Sequence, residues 1–153
     1  MRLLLTMIVA MVASVVARAQ AVDIRSITPV VNLTVPVSAF NLATGAASVT
    51  SPSAISTRLR SNRNWNFTVR SGSTTFAHTP VPGAPTTSKP VSQLLIRENG
   101  AGSFLPISTS NVVIASGPNG NNIDRDFDLR FDTTLDDSPG QYAVTLVFTL
   151  VTL

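Results

Sequence analysis

The sequence contains no cysteine, and histidine, tryptophan and tyrosine each occur once among its 153 residues. Without cysteine the chain can form no disulfide, no thiolate nucleophile, no thiolate zinc site and no thiol redox motif. Any Ser-His-Asp mechanism must use His78, which lies beside a proline-rich stretch and lacks the glycine-flanked serine of a nucleophile elbow. We therefore expect His78 to be an exposed loop residue.

Glutamate is equally scarce, because Glu98 is the single one in the chain. Paired carboxylates for glycoside hydrolysis need a defined separation, and one glutamate gives them weak support. Together with the single histidine, this shortage favours a protein that is not an enzyme and uses no cofactor.

The long apolar run at the amino terminus is typical of a secretory signal. Arg2 gives the positive start, residues 3–16 form the apolar run, and Ala17-Arg18-Ala19 matches a small-x-small cleavage site. The run is shorter than the roughly 20 residues that cross a bilayer as a helix. We expect residues 1–19 to be a signal peptide and residues 20–153 to be one secreted domain, extracellular or at the cell surface, with no membrane span.

Charge is nearly balanced once that segment is set aside. Arg2 and Arg18 leave with the signal, so eight arginines and Lys89 face eight acidic residues. Nucleic-acid binding requires a concentrated basic surface. DNA and RNA are therefore not expected partners.

The remainder is rich in threonine, serine and valine, with proline, glycine and asparagine between short alternating stretches. This pattern predicts strands joined by turns, and no long amphipathic helix interrupts it. About seven short strands are predicted, at 31–37, 55–60, 65–70, 94–97, 112–115, 123–132 and 142–153. They favour an all-β fold, an antiparallel β-sandwich of the Ig-like or pilin-like kind.

Three local patterns refine this prediction. Leu33, Val35 and Val37 alternate with polar residues between prolines, which predicts an edge strand. Turn residues at 61–64 predict that the two strands beside them form a hairpin. The density of proline between 79 and 90 predicts an extended, exposed connection.

The terminal stretch, 142–153, is apolar on both faces. Such a strand is expected to be central in a covered sheet or shared between molecules, and we expect it to serve in assembly. One face carries Tyr142, Val144, Leu146, Phe148 and Leu150.

Two groups of polar or aromatic residues leave alternatives open. Acidic residues between 124 and 132 alternate with large apolar ones, which predicts a solvated strand face, although Asp132, Asp136 and Asp137 could hold a loop calcium. Trp65 alternates with Phe67 and is expected in the core. The alternative is a sugar-stacking Trp65, with Arg63 and Asn64 as further ligand contacts.

Two motifs resemble those of a known family. Tyr142, Leu146, Phe148, Thr149 and Leu150 are similar to the distal motif of bacterial WxL cell-surface domains, a tyrosine, three residues and then Leu-x-Trp-Thr-Leu, with Phe148 at the tryptophan position. Trp65-Asn66-Phe67 resembles the proximal Trp-x-Leu motif. The resemblance implies a secreted β-rich protein that attaches noncovalently to the cell wall. A more general similarity is to pilin-like and spore-coat-like subunits.

The sequence thus favours a non-enzymatic, exported bacterial protein with a structural or adhesive role at the cell surface. We expect it to self-associate through terminal or edge strands, as a fibre or surface-layer subunit, or to bind other envelope proteins. The alternative is a module that binds carbohydrate or peptidoglycan of the cell envelope.

Overall fold

The computed structural model describes residues 22–153, and the predicted signal peptide lies outside these residues. Apart from two single turns of 3-10 helix, Val37–Ala39 and Val91–Gln93, the regular elements described are strands. Within this part of the chain no helix has the length and apolarity that crossing a bilayer would need. In chain order the strands are β1 Val22–Ile27, β2 Ala46–Ser61, β3 Trp65–Ser71, β4 Ala77–Pro80, β5 Leu94–Glu98, β6 Leu105–Pro106, β7 Val112–Gly117, β8 Gly120–Thr134, β9 Gly140–Ala143 and β10 Leu146–Thr152.

The strands form antiparallel sheets that pack against each other, which confirms the predicted all-β sandwich. One sheet has the order β1-β2-β8-β5-β6, a second has the order β10-β3-β7, and β4 pairs with β9. The described residues contain ten strands rather than about seven. The additional ones include β4, β6 and β9, which have two to four residues each and are too short to show a clear alternation.

The core lies between the five-stranded and the three-stranded sheet. Phe67 of β3 is fully buried, and its ring centroid lies 5.7 Å from that of Phe127 on β8 and 5.6 Å from that of Phe148 on β10. Trp65 is also fully buried, and its Nε1 donates to the carbonyl of Pro118 at 2.7 Å. The core interpretation of Trp65 is therefore confirmed.

The predicted hairpin of β2 and β3 is wrong, although both strands exist. β2 pairs with β1 and β8, whereas β3 pairs with β10 and β7. The turn between them carries the chain from one sheet to the other. There Ser61 Oγ donates to the carbonyl of Arg63 at 2.7 Å and accepts from its N–H at 3.2 Å. Asparagine-rich turn chemistry bends the chain but does not decide which strands pair.

The predicted edge strand containing Leu33, Val35 and Val37 is also wrong. The first strand described is β1, and residues 28–36 that follow it have no regular structure and belong to no ladder. Val31, Leu33 and Val35 do pack against the core, whereas Val37 opens a 3-10 turn and is 87% exposed. No described residue hydrogen-bonds to the backbone of residues 29–35. The alternation of apolar and polar residues therefore reflects side chains that pack against the core, although the backbone pairs with no strand.

The terminal stretch differs from its prediction in two ways. It is divided between β9, which pairs with β4, and β10, with Val144 and Thr145 outside both strands. β10 lies at the edge of the three-stranded sheet, so the central, doubly covered strand is wrong. The alternative, a strand shared between molecules, stays a prediction. The predicted inward face is present, because Tyr142, Val144, Leu146, Phe148 and Leu150 all pack against the core.

Replacing Trp65 by alanine should lower the free energy of unfolding by about 3–5 kcal/mol, because it leaves a cavity and removes the bond to Pro118. Val113→Ala is the matched surface control, since Val113 is 49% exposed. Urea denaturation of both variants measures the difference. A loss below about 1 kcal/mol for Trp65→Ala would contradict the central position of this ring.

Candidate functional site

The free edge of β10 is the first candidate. β10 pairs with β3 from Leu146 opposite Ser71 to Thr152 opposite Trp65, with no register shift. The ladder continues at both ends, where the Gly72 N–H donates to the Thr145 carbonyl at 3.0 Å and the Leu153 N–H donates to the Asn64 carbonyl at 2.9 Å.

These flanking bonds determine which backbone groups of β10 are unpaired. Thr145 and Leu153 bond to the β3 side, and in an antiparallel ladder the bonded positions alternate. Odd-numbered residues of β10 therefore bond to β3. The N–H and carbonyl groups of Leu146, Phe148, Leu150 and Thr152 point away from β3, and no described residue hydrogen-bonds to them.

The other sheet edges carry features that discourage strand addition, and β10 carries none of them. The β1 pairing shifts register between Ile24 and Ser26, the β3–β7 pairing shifts between Phe67 and Thr68, and β6 is two residues long. β4 and β9 have four residues each, with a proline at the end of β4 and a glycine at the start of β9. β10 has seven residues without charge, proline, glycine or bulge. Of the edges in residues 22–153, it is the one that best fits an added strand.

The two sheets also differ in charge. Six of the seven ion pairs in residues 22–153 lie on the strands of the five-stranded sheet, such as Arg58 with Asp124 and Arg97 with Asp128. In the three-stranded sheet Arg70 is the single charged residue. The sheet that contains β10 therefore presents few ionised groups, whose desolvation would be costly, to a partner.

A buried polar cluster around Lys89 is the second candidate. Lys89 is 1% exposed, and its Nζ donates to Asp137 Oδ2 at 2.6 Å and to Gln93 Oε1. The same carboxylate oxygen accepts from Thr133 Oγ1 at 2.7 Å and from the Thr134 N–H at 2.9 Å. Burial would raise the pKa of Asp137, but these donors and the lysine charge lower it below the usual range.

His78 lies next to this cluster and is not the exposed loop residue that we expected. It belongs to β4, is partly buried, and its ring stacks on Tyr142 with centroids 4.4 Å apart. Its Nδ1 accepts from the Thr87 N–H at 3.1 Å. The Tyr142 hydroxyl donates to the Ser138 carbonyl at 2.6 Å. These contacts attach the largely exposed, proline-rich connection to β4 and β9, which is a structural role.

Asp128 is buried, although the alternation predicted a solvated position. Its carboxylate accepts from the Ser53 N–H at 2.9 Å and from Arg97 Nε at 2.9 Å. Ser53 has a φ of 47°, in the irregular stretch of β2 between Ser51 and Ile55. Burial alone would raise the pKa of Asp128, but the hydrogen bonds from Ser53 and Arg97 lower it. The carboxylate thus holds a strained segment in place.

Two of the three residues considered for calcium, Asp132 and Asp137, are already bound by protein donors, and the third, Asp136, is exposed. Asp132 accepts from Ser48 at 2.7 Å and pairs with Arg130, and Asp137 pairs with Lys89. Within residues 22–153 there is no group of three or more histidine, aspartate or glutamate side chains that could hold a metal ion.

The residues considered for glycan binding do not form one surface. Trp65 faces the core with no exposed area, whereas Arg63 and Asn64 are exposed in the turn between the sheets. A ring enclosed in this way cannot stack on a sugar, so the Trp65 contact is wrong for this structure. A shallow groove elsewhere, lined by Gly72, Ser73, Ala77, Ala143, Val144 and Thr145, has no titratable side chain in its lining.

No protein-family model matches the chain, and no curated protein matches it. The functional interpretation therefore depends on the geometry above. Sequence reasoning identified the residues of β10 but missed the burial of Lys89 and Asp128. One signal was present, since Lys89 is the single lysine in a chain that otherwise uses arginine.

Removing the Lys89 ammonium should destabilise the fold, because it leaves the Asp137 carboxylate without its buried partner. We expect Lys89→Met to lower the free energy of unfolding by about 3–5 kcal/mol in chemical denaturation. Arg58→Met is the control, because it breaks a solvent-exposed pair with Asp124 and should change little. Equal losses in the two variants would contradict the importance of the buried pair.

Stability should also fall in acid. Asp128 and Asp137 have lowered pKa values in the folded protein. Their contribution to the free energy of unfolding is therefore complete above the pKa of aspartate in the unfolded chain, about 3.9. This contribution is lost as the pH falls from about 3.9 through the lower pKa values of the two residues in the folded protein. Denaturation between pH 7 and pH 2 measures this, and Asp128→Asn should flatten part of the curve. If the variant shows the same dependence of stability on pH, Asp128 does not contribute to the loss of stability in acid.

Proposed function

We propose that the protein is an exported, non-enzymatic structural or adhesive component of the bacterial cell surface that associates by strand pairing at the free edge of β10. The observation that carries this proposal is an edge of seven regular residues with four unpaired N–H groups and no protective feature. Partners are copies of the same chain or other envelope proteins.

Strand addition supplies both affinity and fit in this arrangement. Backbone hydrogen bonds of the added strand satisfy the unpaired groups, and alternate side chains determine the fit. Leu146, Phe148 and Leu150 face the core, so β10 is anchored on its inner side. Its edge can therefore bind a partner while its inner side chains remain packed in the sandwich.

Two further observations support a cell-surface role. Residues 1–19 have the pattern of a secretory signal. The two segments that resemble WxL motifs lie on neighbouring strands, with Phe67 opposite Leu150. Their apolar side chains are core residues here, so surface attachment is proposed through the strand edge rather than through these side chains. Glycan binding by Trp65 would require the ring to leave the core and is not proposed.

Val151→Lys tests the proposal. Val151 is 46% exposed on the outer side of β10, and a lysine there should reduce association, because charge on an edge strand opposes pairing. Sedimentation velocity of the purified protein and its recovery with envelope fractions are the measurements. Val113→Lys is the control, with 49% exposure on the same sheet but on β7. Association of Val151→Lys equal to that of the control would disprove the role of β10.

A further inference from the structure

The unpaired groups of β10 are arranged symmetrically about Thr149. They belong to Leu146, Phe148, Leu150 and Thr152, which lie three and one positions on either side of that residue. An antiparallel copy of the same strand presents these groups in the reverse order. We propose that the strand bound at this edge is β10 of a second copy, antiparallel to the first about a two-fold axis at Thr149. This inference rests on the proposed function and names its partner.

One register satisfies every unpaired group. With Thr149 opposite its own copy, Leu146 lies opposite Thr152 of the second copy and Phe148 lies opposite Leu150. Each of these pairs exchanges two bonds, so the edge gains about eight backbone hydrogen bonds. A shift by two residues leaves one of the four residues in each copy unpaired. A shift by one residue places the unpaired groups of one copy opposite residues of the other copy whose N–H and carbonyl groups already bond to β3. It also exchanges the inner and outer faces of the added strand.

The side chains are compatible with the same register. On the inner face Phe148 lies beside Leu150 of the second copy, and on the outer face Val147 lies beside Val151. At the axis two Thr149 side chains are adjacent. Cross-strand pairs of aromatic, β-branched and threonine side chains stabilise sheets, and β10 has no charge to repel its copy.

The symmetry limits the size of the assembly. An isologous contact uses the same surface on both copies, so pairing closes at two chains. The two three-stranded sheets become one sheet of six strands, in the order β7-β3-β10-β10-β3-β7. The remaining edges have register shifts or are very short, which opposes further addition. The unit of assembly is then a dimer rather than a fibre.

Single cysteines test this register, because the chain has no cysteine of its own. Opposite residues at a non-hydrogen-bonded position have Cα atoms about 4.5 Å apart, within the range of a disulfide. Thr149→Cys should therefore form a covalent dimer under mild oxidation in dilute solution. A protein that stays monomeric under these conditions would overturn the proposal.

Val147→Cys and Val151→Cys are the matched controls. Each lies about 13 Å from the same residue in the second copy, four residues away along a strand, so neither should link to itself. Mixed together, the two variants should link to each other, because Val147 and Val151 are opposite. Linking of Val147→Cys to itself as readily as Thr149→Cys would mean random collision and would overturn the register.

The comparison with Val151→Lys separates this inference from the proposed function. If that lysine reduces association while Thr149→Cys does not link, β10 binds another partner or another register, and only the two-fold dimer is disproved. If the lysine has no effect and no cysteine links, both proposals are disproved. Sedimentation equilibrium of the unmodified protein should give the mass of two chains.

Discussion

Burial of aromatic side chains between the two sheets is the interaction on which the rest of this structure depends. Phe67 contacts Phe127 of the opposite sheet and Phe148 of β10, and neither it nor Phe127 has exposed area. The chain has no disulfide to hold the layers together. Apolar burial is the main favourable term in folding, and here it also fixes β10 against the body of the domain. An edge strand held this way needs no second neighbour within its own chain.

The two larger sheets differ in the number of charged residues that they carry. Ion pairs such as Arg58 with Asp124 cover the five-stranded sheet, while the strands beside β10 carry only Arg70. The buried charges, Lys89 and Asp128, each hold an irregular segment of the chain in place. Lys89 joins the proline-rich connection to the turn at Asp137, and Asp128 holds the irregular part of β2 at Ser53. Polar contacts thus fix loops, whereas the sheet with the free edge remains nearly uncharged.

The sequence allowed the strands to be predicted better than their pairing. Alternation is a local property, so the strands that contain Phe67, Ile96 and Phe127 were found from their own residues. Pairing depends on distant parts of the chain, and the turn after Ser61 crosses between sheets where a hairpin was predicted.

The candidate site was predicted in the same partial way. The inward face of the terminal strand was found, but valine and threonine on its outer face gave no sign that β10 is an edge. Burial of Asp128 depends on a backbone N–H 75 positions away, which residue pattern alone does not reveal. The unpaired backbone of residues 29–35 was missed for a related reason. Apolar residues that pack against the core alternate with polar ones in the sequence whether or not the backbone pairs with another strand.

That unpaired segment makes one part of the domain sensitive to cold. Val31, Leu33 and Val35 attach it to the core, and its backbone has no hydrogen bond to the described protein. Hydrophobic attraction weakens on cooling, whereas ladder strands keep their backbone bonds in addition. Near freezing, the stretch after β1 should therefore loosen before any strand of the sandwich does.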